Sequence, residues 1–523
     1  MIKKFSTIAL AGVLCLPGLA AAGAGGDRIG DLEKQMTEMT KAFNAQMEAM
    51  KAEINTLKNQ NQTLSKEVAA NAETAKQAAT TAEKEAAAAE WTKKLSLGGQ
   101  VTFRGYHLQN VWDFDGNNNL DNRDLFRTKG SIWADFKATD NVTARVQLTD
   151  QTWGEGVTYD QSSLAASDTA MDNNSNKVFL DNAYINVKSL LGLPVEGTFG
   201  RQNLIYGSGF VVLDGQSQFA STSIYFDGVK LRWHITDNVM LDGLYMKDQE
   251  NSTGNNYNHV GAGSYNGGHG DDITLSGFYL TTKKFPVLGM QQELYALNRK
   301  DEWIGKDIWM YGLRLSDTLA NGIDYSLEGA IQRGDASYTQ DQEAWGCKLN
   351  AGYTFKNLGW QPRPYLGYAF MSGDKSGTSR SEQWDVFYGG WPQWGDLLAW
   401  KYLNLNGANN LSKVYNYNAN SRVIGEADYS NLQIATIGFG VKPLDKLSVD
   451  LSYSKLTFDQ TYAGVDDDFG DYYQANLKYQ YTKQMSFSLY AAQLDPGKAF
   501  TKNPSGAMND NATEVYWEAE YKF

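Results

Sequence analysis

Cysteine is scarce in this chain, with only Cys15 and Cys347 among 523 residues, and proline occurs nine times. Two cysteines this far apart form no C-x-x-C-H haem attachment and no zinc spacing. Cys15 falls in the leader described below, which leaves Cys347 without a disulfide partner. Catalytic signatures are missing too. The four histidines, His107, His234, His259 and His269, are scattered, and none sits in H-E-x-x-H. There is no G-x-S-x-G elbow and no phosphate-cradling Gly-Lys-Ser/Thr sequence. Neither an enzymatic activity nor a nucleic-acid partner is expected. Beyond the N-terminus no run of eighteen apolar residues appears, which excludes a transmembrane helix. It does not exclude strands of about ten residues with alternating faces, whose hydropathy signal is weak.

Glycine (51), tyrosine (30) and tryptophan (14) are plentiful. The first 22 residues read as a secretory signal peptide. Lys3 and Lys4 form its charged start, 5–19 its apolar run, and Ala20 to Ala22 an A-x-A cleavage site. Its removal takes the formal net charge from −13 to −15, because Lys3 and Lys4 are its only charges. Leu14 stands where a lipidation signal at Cys15 needs a small residue, so a lipid anchor is not expected. An exported chain without disulfides needs another source of order, and closed strand pairing supplies one.

Residues 27–90 contain Gly30 as their only glycine, contain no proline, and are rich in Ala, Glu, Lys and Gln. Apolar positions such as Met36, Phe43, Ile54, Leu57, Leu64 and Val68 recur at alternating steps of three and four, with one 4-4 step at Met39, Phe43 and Met47. This is a heptad pattern with a stutter, which predicts an α-helical coiled coil and therefore a homo-oligomer. Asn61 and Asn71 would set its register. Ile54 and Val68 at a with Leu57 and Leu64 at d favour two strands on peptide rules.

From Leu95 to Phe523 the pattern changes to period two. The last twelve residues, ATEVYWEAEYKF, set Val515, Trp517, Ala519, Tyr521 and Phe523 against Glu514, Tyr516, Glu518, Glu520 and Lys522. Such alternation gives a strand with one apolar and one polar face. Alternating segments recur throughout, separated by short connections at 139–141, 190–194, 236–238, 283–289, 316–322, 356–361, 442–446 and 482–484. Long polar connections are expected at 109–123, 151–176, 203–223, 247–271, 299–306, 333–343, 371–431, 456–470 and 494–512. The spacing predicts an all-β transmembrane barrel of about 18 antiparallel strands over 95–523, with lipid outside and a watery lumen inside. The apolar alternation places Cys347 at the lipid face. The terminal strand closes the barrel, because an open edge in lipid leaves backbone groups unsatisfied.

The same alternation points Arg104, Arg127, Lys129, Arg145, Lys230, Arg232, Arg314 and Lys348 inward. Asp242, Glu328, Glu514 and Glu518 also face the lumen. Two readings remain open. Rings of Arg or Lys select anions, or these charges pair with one another and hydrate the wall. A candidate calcium loop occupies 113–124, with oxygen side chains at Asp113, Asp115, Asn117, Asn119, Asp121 and Asp124. Asn118 stands at the usual glycine position and Asp124 replaces the bidentate Glu; a solvated turn-rich loop is the alternative.

The stretches FGRQNLIYGSGF (199–210), YFDGVKLRW (225–233) and YAFMSGDKSG (368–377) resemble the alginate-export-type outer-membrane porin family. The resemblance spans 95–523. It implies an eighteen-stranded outer-membrane channel with an arginine-rich, electropositive constriction. By position it puts forward Arg127, Lys129, Arg145, Arg201, Lys230 and Arg232 as pore-wall residues. The N-terminal coiled coil resembles that of certain trimeric porins, which implies a trimer with the coil in the periplasm of a Gram-negative bacterium. That favours passive diffusion of small hydrophilic, including anionic, solutes over polysaccharide export. A barrel sheath around a partner such as a multihaem cytochrome, or an anchor whose coil touches peptidoglycan, are the other readings. The aromatic loop at 384–400 either folds in as a constriction, stacks on sugars, or packs on itself outside.

Overall fold

A computed structural model describes 94–117, 122–153, 178–213, 226–249, 272–285, 289–302, 304–375, 377–389, 393–402, 411–416 and 429–523, with individual residues between 30 and 66. The chain divides into two units, Met1–Glu90 and Trp91–Phe523. In the first, every described residue is helical and exposed, including an unbroken run at 51–59. Of the heptad core positions, Met36, Met47, Ile54 and Leu57 are described, and all four are solvent-exposed. The signal peptide and the other heptad positions lie outside the described residues.

The second unit is a closed barrel. Its first six strands are β1 (Leu95–Gln109), β2 (Arg123–Lys137), β3 (Val142–Trp153), β4 (Phe179–Val187), β5 (Val195–Gln202) and β6 (Phe226–His234). There follow β7 (Val239–Gln249), β8 (Ile273–Thr282), β9 (Gln291–Asp301), β10 (Lys306–Thr318), β11 (Ile323–Ser337) and β12 (Gln340–Tyr353). The last six are β13 (Arg363–Met371), β14 (Leu432–Leu444), β15 (Leu447–Phe458), β16 (Asp468–Gln480), β17 (Met485–Pro496) and β18 (Ala512–Lys522). Each strand pairs antiparallel with its neighbours in sequence, and β18 returns to β1 with Gln100 opposite Lys522 and Gln109 opposite Thr513. The predicted strand number and the closing role of the terminal segment are both found.

Faces follow the alternation. On β18, Val515, Trp517 and Tyr521 are exposed on the outer surface while Glu514 and Glu518 are buried inside. Cys347 lies on the outer face between Trp345 and Leu349, both exposed. The tight turns have a local cause in the sequence. Thr139, Thr236 and Thr482 each accept, through the side-chain oxygen, the backbone N–H groups two and three residues ahead. Such a Thr closes a short turn without needing glycine.

Two expected long connections prove short. β9 runs to Asp301 and β10 starts at Lys306, and β11 and β12 are separated only by 338 and 339. Here the charged residues belong to strands. Lys300 pairs with Asp307, and Arg333 with Glu343, across neighbouring strands on the outer face. Polarity at these strand ends resembles loop polarity.

The lumen also differs from expectation. In its long-loop half it is filled by a hydrophobic core. Met246, Leu275, Leu297, Met310 and Leu456 point inward from the strands, and Trp384, Tyr388, Leu397 and Tyr402 come from loops. Glu514, expected to face water, is fully covered by this core.

Candidate functional site

Two segments fold back into the barrel and occupy its centre. The first, following β5, turns at Tyr206 to Gly209, where the Gly209 N–H donates to the Tyr206 carbonyl at 2.9 Å. The second comes from the long β13–β14 connection and includes α1 (Asp396–Tyr402), all of whose residues are buried. The two segments join each other. The Leu213 N–H donates to the Tyr388 carbonyl at 2.9 Å, and the Tyr388 N–H to the Val211 carbonyl at 3.0 Å. Phe210 stacks on Trp384 with centroids 5.3 Å apart. Thus, of the three readings of the aromatic loop, its described part takes the inward one.

Charged contacts fix these segments to the wall. Asp385 lies 2.9 Å from Arg299 of β9 and 2.5 Å from Lys306 of β10, and its N–H donates to the Gln332 side chain of β11. Burial alone would raise the Asp385 carboxyl, but Lys306 and Arg299 overcome it and hold it below the usual carboxylate range. Asp396 is set differently. It lies 3.4 Å from Arg104, which is also bonded to Glu518 at 2.5 Å. Burial pushes the Asp396 carboxyl up, against the pull of Arg104 and Arg127. Asp396, Glu514 and Glu518 thus share a dry cluster with two guanidiniums, which is neutral only when one carboxyl keeps its proton. Lys401 of α1 donates to the backbone carbonyls of Asn110 (2.6 Å) and Asp113, with Phe114 beneath it.

Gly395 makes this docking sterically allowed. Its φ is +104°, and a Cβ there would lie 2.1 Å from the Gln474 side chain and 2.3 Å from the Tyr472 hydroxyl. Only glycine takes that backbone conformation so close to the wall without strain.

Below the inserted segments, towards the tight-turn end, the lumen opens into adjoining polar cavities. One, of about 460 Å³, is lined by Arg127, Lys129 and Arg145, with Lys478 and Lys522 against the single carboxylate of Glu520. A second, of about 510 Å³, continues along β3–β6 past Arg145 and Lys230, with Glu196. A third, of about 520 Å³, contains Arg314, Lys348, Lys283 and Arg363, with Asp317 and Asp324. A fourth, of about 510 Å³, lies between β12 and β18 beneath Trp394 and shares Lys478 with the first.

The structure distributes the sequence candidates unevenly. Lys129, Arg145, Lys230, Arg314 and Lys348 line cavities. Arg232 faces inward, but its Nε and one terminal nitrogen donate to the two carboxylate oxygens of Asp242, each at 2.7 Å. Arg104 is buried beneath α1, 4.1 Å from the Tyr516 ring centre. Arg127 spans the buried cluster and the first cavity. Arg201 departs from expectation. It shares the outer face with Phe199 and forms a two-point pair with Asp227 at 2.8 and 2.7 Å. The register sets it opposite Ala183 and Asp227, one residue past the left-handed Gly200. Arg299, Lys306 and Arg363 are functional-site candidates that sequence reasoning missed. Arg299 and Lys306 fell in an expected loop. For Arg363 the signal was its alternation with Pro364 and Tyr365 at the start of β13.

The calcium candidates are only partly described. Asp113 and Asp115 each accept the backbone N–H two residues ahead, and an Asp124 carboxylate oxygen accepts from His107 Nδ1 at 2.6 Å. Asn117 donates to Asp115, while Asn119 and Asp121 lie outside the described residues. Among described residues no group of three or more His, Cys, Asp or Glu is arranged around a common metal position.

Among curated proteins no sequence matches the chain. Solved structures similar to this chain include three at low sequence identity. OpdO of Pseudomonas aeruginosa is 13% identical, with a TM-score of 0.50, covering 82% of this chain and 97% of its own. OccK11 (OpdR) of the same organism is 12% identical (TM-score 0.48, 82% and 95% covered). OccAB4 of Acinetobacter baumannii is 14% identical (TM-score 0.48, 82% and 98% covered). At 13% identity the likeness to OpdO is one of fold. The family model described as alginate export matches residues 93–513. With the closed eighteen-stranded barrel around an inward-folded loop and a basic lumen wall, the chain belongs to the alginate-export family.

Proposed function

We propose that this protein is an outer-membrane channel for passive diffusion of small hydrophilic solutes, with a preference for anions. The observation that carries this reading is the basic cavity at Lys129 and Arg145, where five cations meet one carboxylate. Field lines focused in a low-dielectric wall raise the local concentration of anions, and cationic rings select them. Ion pairs form throughout the lumen, Arg232 with Asp242, Arg314 with Glu293 and, beside this cavity, Arg145 with Asp135 at 3.6 Å, yet the excess of cations over carboxylates is largest here among the described cavities. Selectivity is therefore assigned to the β1–β3 side, not to every inward base. β1 begins at the tight-turn end, which is the periplasmic end of an outer-membrane barrel. On the heptad pattern of 27–90, the helical N-terminal unit is proposed to be a periplasmic coiled coil that holds a trimer.

The family description favours a second reading, export of an acidic polysaccharide through the same basic wall. A sheath for a multihaem cytochrome fits less well, since loop residues such as Trp384 and Tyr388 fill the central lumen. Liposome swelling with small anions, cations and neutral solutes of similar size tests the proposal. Faster entry of the anion supports it. No entry of any of them, from protein folded by heat-modifiability, overturns it.

A further inference from the structure

We propose that the cavity beneath Trp394 is a binding subsite for neutral polyhydroxylated solutes, separate from the anion track on the other side of Lys478. The inference rests on the channel reading for its access route but not for the site's chemistry. Its charge decides the class. Two lysines, Lys348 and Lys478, face the carboxylate of Asp450, with Glu518 also in the lining but bonded to Arg104, whereas the neighbouring cavity holds five cations against one carboxylate. An anion is therefore drawn past this site into its neighbour, and a neutral solute has no such bias.

The lining supplies the two elements that a sugar or polyol uses. The first is a flat aromatic surface. Gly438 stands behind Tyr365, and a Cβ there would lie 2.1 Å from the ring, so the ring rests flat on the wall. The Tyr365 hydroxyl donates to Asp450 at 2.8 Å, which fixes the ring in that plane; the ring lines the cavity, with the Arg363 guanidinium 4.9 Å from its centre. Trp394 forms the roof. Its ring is edge-on to Tyr429 with centroids 4.9 Å apart, and lies 5.4 Å from the Lys348 ammonium. The second element is a set of uncommitted polar groups. The side chains of Ser448, Ser488, Asn350 and Asn476 line the cavity and have no hydrogen-bond partner among the described residues. Hydroxyls and amides both donate and accept, as a polyol does. The volume, about 510 Å³, lies within the range of small-molecule sites, roughly 300–1,000 Å³.

The test is equilibrium dialysis of radiolabelled maltose against the full-length protein in detergent, with glucuronate as the anionic comparison. Saturable maltose binding is expected, stronger than glucuronate binding to the same site in competition. Tyr365→Ala is expected to weaken it about tenfold, the loss typical of removing one aromatic anchor. Tyr365→Phe, which keeps the ring, retains it, and Asn476→Ala provides a second variant should Tyr365→Ala fail to fold. Absence of saturable maltose binding overturns the proposal, as does binding unchanged in both alanine variants, or glucuronate competing more tightly than maltose. Because dialysis needs no conduction, a protein that binds maltose yet passes no current contradicts the channel reading and leaves the subsite standing.

Discussion

The carboxylate of Asp385 lies 2.9 Å from the guanidinium of Arg299, and the two side chains are 3% and 0% exposed. A loop residue and a barrel strand thus share a charge pair with almost no access to water. Pairing of this kind is neutral or mildly costly relative to apolar packing, but removal of one partner strands the other charge at about 3–5 kcal/mol. The Asp385 contact is therefore what keeps the inserted loop registered on β9 and β10.

Asp385→Ala is expected to lower thermal stability and to raise single-channel conductance, because the loop no longer holds its place across the lumen. The stability loss should fall near the 3–5 kcal/mol quoted. Heat-modifiability on gels and planar-bilayer current together read both effects. Unchanged conductance in a folded variant contradicts the docking role.

The two loop aspartates predict opposite limbs of a pH profile. Asp385 is held below its ordinary value. Its contribution is complete above the unfolded carboxylate pKa of about 4 and is lost as pH falls through its folded value. Asp396 is raised by burial. Its contribution is complete below the unfolded value and is lost as pH rises through the folded one. Asp385→Asn should flatten the acid limb of a Tm–pH curve, and Asp396→Asn the limb above it.

Trp384 is fully buried and stacked on Phe210. Trp384→Ala is expected to cost about 3–5 kcal/mol through lost packing. The same variant should leave strand content unchanged by far-ultraviolet dichroism, since the residue lies outside the sheet.

Cys347, the one cysteine after Cys15, is a built-in reporter of which face is which. It is predicted to resist charged thiol reagents in detergent-free liposomes and to react after unfolding. Rapid labelling of the folded protein by a charged reagent contradicts the outward assignment.

Much of the barrel was readable before any coordinates. The period-two pattern of Val515 to Phe523 assigns faces on β18, and the breaks in alternation place the short connections at 139–141, 236–238 and 482–484. Alternation fixes a side chain's face but carries no information on its height in the barrel or on what covers it. That is why Glu514 was expected in water and lies under α1. Arg299, Lys306 and Arg333 were lost for a related reason: strand ends that rise above the lipid are as polar as loops. The basic candidates read from alternation face inward; Arg201, put forward by the resemblance, shares the outer face with Phe199. Which of them carry an ion pair depends on cross-strand register, which sets Arg232 opposite Asp242 and Arg314 opposite Glu293.

The central claim is that an electropositive wall at Lys129 and Arg145 governs passage. Reversal potential of the reconstituted protein in a planar bilayer under a salt gradient tests it most directly. The account predicts a potential of the sign set by anion permeation, moving towards cation preference in a Lys129→Glu, Arg145→Glu variant. A cation-selective parent, or a parent and variant with the same potential, would contradict it.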